Sequence, residues 1–365
     1  MKIAIYTIAL NEEKHVQQWF NSGREADLLL IADTGSTDGT VAAARALGIA
    51  VIEIEVKPWR FDVARNLSLD ALPEDIDICI QIDMDEVLQP GWREIVEAAF
   101  EKGNLWPTYQ IVIEWGKDGE VIKSLDHFKI HPRKGFSWKY PIHEVISPDD
   151  ATIYSRERIP LTVWHHQDKT KSRKGYLEQL ELAVQEVPSD WRMNHYLTRE
   201  YMYTKQSEKI IHTAYKGIDL GYGWDVERAS SCIWAADAAH ALGYTYWAYE
   251  WAIKASELAP TFYEAWHSRA HYAHLLEKWR DCFDSAKKID RLTKQTHHLV
   301  NPAVWSWWGF DLAALSAHKL GRHELALYYG RLALMADPEN ERLARNLTYY
   351  EAALLASKVS TSAQM

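Results

Sequence analysis

The chain has 365 residues, and because a single hydrophobic core rarely grows beyond about 250–300 residues, two domains are expected. Hydrophobic residues make up 47% and charged residues 25%, an ordinary globular composition that argues against disorder. The formal net charge of -10 disfavours general binding to phosphate backbones, and no apolar run approaches the length of a membrane span.

The cysteines and the N-terminal segment indicate the cellular compartment in which the protein is expected. Cys79, Cys232 and Cys282 have no C-x-x-C spacing, which argues against a zinc ribbon or a disulfide framework and fits a reducing environment. The opening MKIAIYTIALNEE has a short apolar run that ends in two glutamates, so it is interpreted as a buried strand and not as a signal peptide. A cytoplasmic location is therefore expected.

The first half alternates short apolar runs with amphipathic stretches. Strands are predicted over residues 3–9, 28–32, 50–56 and 77–82, and helices over residues 12–22 and 37–47. Apolar strands in strand–helix–strand order predict a mostly parallel, Rossmann-like sheet that is covered on both faces. Ligands bind such sheets beyond the carboxyl ends of the strands, where the polar segments 11–13, 33–40 and 83–86 are expected.

The segment Asp83-Met84-Asp85-Glu86 follows the fourth predicted strand. Because strand side chains alternate between faces, Asp83 and Asp85 can point the same way. Two converging carboxylates repel each other unless a divalent cation neutralises them, and Mg²⁺ or Mn²⁺ held by carboxylates and diphosphate oxygens is the expected arrangement. A solvated acidic turn is the alternative.

Two further segments lie near the same predicted edge. Residues 33–40, DTGSTDGT, follow a strand and open a helix, with Ser36 or Thr37 as the cap and Asp38 complementing the helix dipole. Capping does not explain Asp33 at the strand end. In FDVARN, residues 61–66, a helix would direct Arg65 towards a nucleotide, where guanidinium can pair with diphosphate; a surface Arg beside Asp62 is the alternative.

The blocks IALNEE, IADTGSTDGT, FDVARN and QIDMDE, in this order across about residues 1–100, resemble family 2 glycosyltransferases of the GT-A fold. The resemblance is closest to the bacterial branch with helical repeats after the catalytic domain, which includes lipopolysaccharide-core glucosyltransferases and transferases that glycosylate peptide cysteines. It implies a GT-A nucleotide-sugar-binding catalytic domain over residues 1–170.

The resemblance also implies residue roles. Contacts to the nucleotide-sugar are implied for Ala9, Asn11, Glu13, Asp33, Arg65, Asn66 and Asp83. Asp83 and Asp85 are the implied metal ligands, for Mn²⁺ or Mg²⁺. Two later blocks also match the branch: WKYPIHE, residues 138–144, and WHHQDK, residues 164–169.

The residues of these later blocks suggest chemistry of their own. Glu144 is the predicted general base, and Asp126 is the next candidate. If residues 142–146 are extended, His143 and Glu144 point to opposite faces. His165, or else His166, would complete the metal sphere. The basic run Lys169, Lys171, Arg173 and Lys174 is either a lid over the diphosphate or a solvated linker.

Two blocks of many family 2 enzymes are missing. The chain has neither a Glu-Asp pair after the acceptor region nor a later Gln/Arg-x-x-Arg-Trp block. A processive synthase is therefore disfavoured, and the assignment of the base stays open.

From about Tyr176 onwards strand-like runs give way to helical stretches rich in Ala, Trp, Tyr and Leu. Pro188, Pro260 and Pro338 recur at separations of 72 and 78 residues, roughly twice the 34-residue tetratricopeptide period. An all-α, tetratricopeptide-like repeat domain is predicted over residues 171–358, followed by a frayed tail over residues 359–365. An irregular helical bundle is the alternative.

The expected function is the inverting, divalent-metal-dependent transfer of a sugar from a nucleotide-sugar, a UDP-sugar by analogy. The sequence leaves the acceptor open among a sugar or lipid-linked sugar, a peptide side chain and a modified nucleobase. The repeats would hold the acceptor or a partner subunit, a second copy of the chain included; Trp305, Trp307 and Trp308, clustered after Pro302, suggest this, although core packing is the plainer role for any single Trp.

Two other functions fit the sequence less well. A nucleotidyltransferase is disfavoured because the loop at residues 11–13 is acidic and lacks glycine. A non-catalytic helical-repeat binding protein with a degenerate nucleotide domain is disfavoured because Asp33, Arg65, Asp83 and Asp85 are all present.

Overall fold

The computed structural model describes residues 1–167, 175–293, 299–301 and 306–362. The chain forms two compact units that divide between Ala183 and Val184. The first is a mixed α/β unit and the second is all-helical, which confirms the predicted fold class. The predicted boundary after residue 170 lies within residues 168–174, outside the described part of the chain.

The first unit holds eleven described strands. In chain order they are β1 (Ile3–Ala9), β2 (Leu28–Asp33), β3 (Ala50–Glu53), β4 (Ile78–Gln81), β5 (Glu86–Leu88), β6 (Thr108–Trp115), β7 (Val121–His127), β8 (Ile130–Pro132), β9 (Phe136–Lys139), β10 (Val145–Pro148) and β11 (Arg158–His165). The helices are α1 (Glu13–Gly23), α2 (Thr40–Ala46), α3 (Phe61–Asp70), α4 (Trp92–Phe100) and α5 (Tyr176–Glu186), of which α5 continues past the division between the units.

The central sheet has the strand order β3-β2-β1-β4-β8. Its first four strands are parallel, and β8 runs antiparallel to β4. Ile3 and Ile5 pack into a hydrophobic cluster on one face, whereas Ala4 and Tyr6 pack into another on the opposite face. The sheet is therefore covered on both faces, as the apolar strands predicted.

A second sheet and a hairpin were not predicted. The second sheet has the order β5-β11-β6-β7, and β9 pairs with β10. Residues of β7 are mostly exposed or half-buried, so this strand carries little of the apolar pattern by which strands are recognised in a sequence. These elements matter for function because β11 ends at His165 and the β9–β10 hairpin carries Glu144.

The second unit consists of successive helices. They are α6 (Trp191–Tyr203), α7 (Ser207–Asp219), α8 (Asp225–Ala241), α9 (Thr245–Leu258), α10 (Tyr263–Leu275), α11 (Trp279–Ile289), α12 (Trp308–Lys319), α13 (His323–Ala336) and α14 (Glu341–Ser362).

The prolines mark the repeat as the sequence predicted. Pro188, Pro260 and Pro338 each lie three residues before the first residue of a helix, at the starts of α6, α10 and α14. Two helix pairs therefore separate successive prolines. Helix α14 extends through Ser362, into the segment predicted to fray, because neither Gly nor Pro follows Glu341; residues 363–365 lie outside the described residues.

A hydrogen-bonded network of polar side chains is buried beside β1. The indole Nε1 of Trp138 donates to the Tyr6 hydroxyl at 2.9 Å, and this hydroxyl lies 3.0 Å from Nε2 of His131. The other imidazole nitrogen, Nδ1, lies 2.7 Å from the carbonyl oxygen of Pro132. The network assigns the His131 proton to Nδ1, and burial lowers the pKa of this imidazole to about 4.

The buried histidine predicts an acid sensitivity of the first unit. Because the pKa of His131 is near 6.5 in the unfolded chain and about 4 in the folded one, the unfolded state takes up the proton first as the pH falls. The free energy of unfolding should therefore fall by about 3 kcal/mol between pH 6.5 and pH 4. Hydrogen exchange of β1 and β4 amides across this range measures the effect, and His131→Gln should flatten it. An equally steep profile in the variant would contradict this origin.

Candidate functional site

Asp33 begins the polar loop at the carboxyl end of β2. One carboxylate oxygen, Oδ2, accepts hydrogen bonds from the backbone N–H groups of Gly35 at 3.0 Å and Ser36 at 2.9 Å. The turn needs glycine because Gly35 has a φ of 108°. The other oxygen, Oδ1, is buried and has no hydrogen-bond partner among the described residues. A buried acceptor without a donor costs about 1–3 kcal/mol, so this oxygen is suited to a ligand N–H or O–H.

Residues of the first loop hold the Asp33 loop in shape. Asn11 has a left-handed backbone, φ 56°, and its Oδ1 accepts from the N–H of Thr37 at 2.8 Å. Glu13 Oε2 accepts from the N–H of Gly39 at 3.1 Å, and a Cβ at Gly39 would lie 2.4 Å from that carboxylate. The sequence predicted that Asn11 and Glu13 border a nucleoside; the structure shows these oxygens binding the neighbouring loop.

The carbonyl of Ala9 is also engaged within the protein. It accepts hydrogen bonds from the N–H of Thr34 at 2.9 Å and from the Thr34 hydroxyl at 3.0 Å. The predicted helix start is wrong by three residues, because α2 begins at Thr40 and not at Thr37. The N–H of Thr37 is bound by Asn11 and the Ser36 hydroxyl accepts from the backbone of Asn11, so neither serves as the cap.

Arg65 joins two segments that are distant in sequence. Its side chain is only 6% exposed; Nε donates to Glu144 Oε1 at 2.5 Å and a terminal nitrogen donates to Asp83 Oδ1 at 2.9 Å. The guanidinium carbon also lies 5.0 Å from the centre of the Trp138 ring. Two carboxylates thus match its charge, while its Nη1 is buried and has no hydrogen-bond partner among the described residues, so the diphosphate contact stays a prediction.

Asp83 is surrounded by donors. Besides Arg65, its oxygens accept from Nε2 of Gln81 at 2.9 Å and from Nζ of Lys129 at 3.2 Å. Burial opposes ionisation of Asp83, but the charges of Arg65 and Lys129 outweigh it and hold the pKa well below its usual range. Two protein cations thus neutralise this carboxylate, so the repulsion argument for a metal does not apply to Asp83. Neither Gln81 nor Lys129 stood out in the sequence.

Asp85 and His165 form a second group, next to the first. Asp85 Oδ2 lies 3.5 Å from Nε2 of His165, and the carbonyl of Asp85 accepts from the N–H of His166 at 2.8 Å. Burial opposes protonation of His165, but the carboxylates of Asp85, Glu86 and Asp83 outweigh it and raise its pKa. The environment of this imidazole therefore favours a positive charge.

The two adjacent histidines differ in environment. The ring of His166 packs edge-on against Trp115, with ring centres 5.1 Å apart, while His165 is the one that faces Asp85. Among residues 1–167, 175–293, 299–301 and 306–362, no group of three or more His, Cys, Asp and Glu side chains is placed to hold a metal ion. Asp85 and His165 could still supply two ligands, which suits Mg²⁺ or Mn²⁺ completed by ligand oxygens and water.

Glu144 sits in the turn of the β9–β10 hairpin. The condition of an extended segment, on which His143 and Glu144 would point to opposite faces, is not met, because Tyr140 and His143 have φ values of 78° and 51°. The carbonyl of Pro141 accepts from the N–H of Phe61 at 3.0 Å, which ties the turn to α3. His143 Nε2 lies 2.5 Å from the Tyr176 hydroxyl. Left-handed backbone at non-glycine residues is costly and concentrates at functional sites.

Asn66 forms hydrogen bonds with the backbone of the same hairpin. Its amide donates to the carbonyl of Trp138 at 2.9 Å and accepts from the N–H of Trp138 at 2.8 Å. Both ends of the amide are thus used by β9, whereas the sequence predicted a contact to the nucleotide. Asp126 lies on β7, is half exposed and pairs with Arg158 at 3.3 Å. The basic run at residues 169–174 and Trp305 lie outside the described residues.

No family model matches the chain. Over 104 residues, 28% of this chain, it is 32%, 33% and 34% identical to proteins named uncharacterized glycosyltransferase from Rickettsia bellii, Rickettsia conorii and Rickettsia felis. These matches cover 34%, 36% and 35% of the relatives, so the chain spans about a third of the length of the curated relatives it matches.

Solved structures are similar to the helical part at low identity. MamA is 13% identical, over 46% of this chain and 90% of that chain, with a TM-score of 0.37. The tetratricopeptide-repeat domain of Arabidopsis OM64 is 15% identical, over 35% of this chain and 97% of that chain, with a TM-score of 0.30. Among the helices of the described residues, none combines the length and the hydropathy that crossing a membrane requires.

Proposed function

We propose that the chain is an inverting, divalent-metal-dependent glycosyltransferase that uses a nucleotide-sugar donor. The observation that carries the proposal is the Arg65 group, in which one buried guanidinium binds both Asp83, after β4, and Glu144, in the hairpin turn. This contact holds Glu144, a carboxylate that can serve as a general base, near the carboxyl ends of the parallel strands, where ligands bind. The names of the relatives from Rickettsia support the same reaction class.

Asp33 is the proposed contact to the nucleobase of the donor. Its buried Oδ1 lacks a donor among the described residues, while Oδ2 is fixed by two backbone N–H groups. A pyrimidine such as uracil presents a ring N–H that can supply the missing hydrogen bond. Asn11 and Glu13 contribute indirectly, because they hold the loop that Asp33 opens. A UDP-sugar is therefore the proposed donor.

Asp85 and His165 would hold Mn²⁺ or Mg²⁺ together with diphosphate oxygens. The chemistry fits: a carboxylate and an imidazole lie 3.5 Å apart, in an environment that raises the pKa of the imidazole and thus favours positive charge. When bound, the ion would stabilise the negative charge that develops on the departing nucleoside diphosphate.

Glu144 is the proposed general base. An acceptor hydroxyl is a poor nucleophile until its proton is removed, and Glu144 would take that proton as the acceptor oxygen bonds to the anomeric carbon of the sugar. The bond from that carbon to the diphosphate oxygen breaks, so the nucleoside diphosphate leaves with the bonding electrons and the configuration is inverted. Arg65 acts as a positioning residue, because its Nε fixes the orientation of the Glu144 carboxylate.

Asp85→Ala tests the donor half of the proposal. Isothermal titration calorimetry with UDP in the presence of Mn²⁺ should show binding to the parent protein and its loss, by at least about 10-fold in affinity, in the variant. The reason is that Asp85 supplies the carboxylate ligand beside His165. Asp126→Ala removes an exposed carboxylate of the same unit and is the matched control, with affinity expected to stay unchanged.

Equal affinity of the parent and Asp85→Ala for UDP with Mn²⁺ would refute this ligand assignment. A second measurement distinguishes a transferase from a binding protein: the parent protein is assayed for hydrolysis of UDP-glucose, UDP-galactose and UDP-N-acetylglucosamine. If UDP binds with Mn²⁺ but no nucleotide-sugar is turned over, with or without added sugar acceptors, the non-catalytic alternative is favoured.

A further inference from the structure

The helical unit contains a cavity of about 570 Å³. Its described walls come from α8, α10 and α12 and from the residues just before α12. This volume lies within the range of about 300–1,000 Å³ that small-molecule sites occupy. The described lining residues belong to the second unit, and the proposed transfer reaction uses none of them.

Aromatic side chains supply much of the wall. They are Trp234, Phe262, Tyr272, Trp307 and Trp308. Trp308 is 38% exposed, and its ring stacks on His267 with centres 5.4 Å apart and planes inclined by 26°. A large aromatic ring left partly open in a cavity offers a flat apolar face to a ligand.

Two buried polar atoms of the wall have no hydrogen-bond partner among the described residues: the Ser268 hydroxyl and Oε2 of Glu264. Ser268 is 6% exposed. The other Glu264 oxygen, Oε1, accepts from the N–H of Asn301 at 2.7 Å, which fixes the carboxylate. Buried polar groups are normally satisfied, so these two point to a ligand that provides hydroxyl groups.

The charges of the wall select against ions. No Lys or Arg belongs to the described lining, so an anionic ligand such as a phosphate finds no counter-ion there. Of the three carboxylates, Asp237 accepts from the Tyr272 hydroxyl at 2.6 Å and Asp311 pairs with Arg342 at 2.9 Å. Glu264 accepts one backbone N–H and has no ion pair among the described residues, and a single carboxylate is a weak site for a cation.

The histidines of the wall agree with a neutral ligand. Burial and the neighbouring His271 imidazole lower the pKa of His267 to about 4, and burial with nearby imidazoles lowers that of His271. Both rings are therefore neutral at pH 7, and each offers one hydrogen-bond donor and one acceptor. A cationic ligand bound here would meet the same desolvation cost that opposes protonation of these imidazoles.

We propose that this cavity binds a neutral saccharide unit, with a sugar ring stacked on Trp308 and its hydroxyls bound by Glu264 and Ser268. A pyranose has an apolar face formed by C–H groups and a rim of hydroxyls, each of which donates and accepts. That combination matches an aromatic platform next to unpartnered oxygen atoms and neutral imidazoles. The proposal concerns binding only and does not depend on the transferase activity.

The test is saccharide binding by the full-length protein without donor or metal. Isothermal titration calorimetry and saturation-transfer NMR with maltohexaose, cellohexaose, mannohexaose and chitohexaose should show binding of at least one of the four. Trp308→Ala and the isosteric Glu264→Gln should each weaken that binding by about 10-fold. Trp247→Ala removes another exposed tryptophan that does not line the cavity and should leave it unchanged. Circular dichroism confirms that each variant is folded.

Three results would overturn the proposal. The first is that none of the four oligosaccharides binds at millimolar concentration. The second is that binding occurs but is equally strong in the parent, Trp308→Ala and Glu264→Gln. The third is that hexalysine binds whereas the oligosaccharides do not, and that Glu264→Gln abolishes the binding of hexalysine, which would make the cavity a cation site. Because UDP and Mn²⁺ are absent, none of these results bears on the donor site.

Discussion

Glu144→Gln should lower the rate of sugar transfer by about 10²–10⁴-fold while leaving UDP binding intact. The amide keeps an oxygen for the hydrogen bond from Nε of Arg65 but cannot take the proton of the acceptor. The measurement is initial transfer rates with a UDP-sugar and Mn²⁺, alongside calorimetric titration with UDP. Hydrolysis of the donor by water should fall less than transfer, because the proposed metal ligands Asp85 and His165 are unchanged.

Asp126→Asn is the matched control for this change. Asp126 is half exposed and pairs with an exposed Arg158, so its amide variant should transfer sugar at the parent rate. Transfer by Glu144→Gln within a few-fold of the parent would show that the base lies elsewhere. A loss of transfer in Asp126→Asn instead would assign that role to Asp126.

Arg65→Leu should destabilise the first unit by about 3–5 kcal/mol, the usual result of removing one partner from a buried charged group. The Asp83 and Glu144 carboxylates would lose their shared donor, and the ion pairs of Lys129 among the described residues are with Asp83 and Glu86, not with Glu144. The measurement is the free energy of unfolding in urea, followed by hydrogen exchange of strand amides in the first unit.

Arg158→Leu provides the comparison for a surface ion pair. Its side chain is 58% exposed and its partner Asp126 is 52% exposed, so the change should cost no more than about 1 kcal/mol. Adding Asp83→Asn and Glu144→Gln to Arg65→Leu should recover part of the lost stability, because no uncompensated carboxylate remains. A loss as small for Arg65→Leu as for Arg158→Leu would contradict the role given to this arginine.

The sequence did not indicate contacts between residues that are distant in the chain. Asn66 and Trp138 are 72 residues apart, and nothing in FDVARN indicates that the amide will be used by the backbone of β9. FDVARN likewise does not indicate that Arg65 binds Glu144, which is 79 residues away. The two left-handed residues of the hairpin, Tyr140 and His143, have no local signature such as glycine.

The sequence alone determined the features that depend on local pattern. Apolar runs of strand length specified the parallel strands, and the proline spacing specified the helix pairs, because burial and backbone chemistry act over a few residues. It also placed Asp33, Asp83 and Asp85 at the carboxyl ends of strands. Only the tertiary structure decided which charges meet: Lys129 with Asp83, His165 rather than His166 with Asp85, and Arg65 with Glu144. The reason is that Coulomb forces and hydrogen bonds depend on distances of a few ångströms in space, which separation along the chain does not fix.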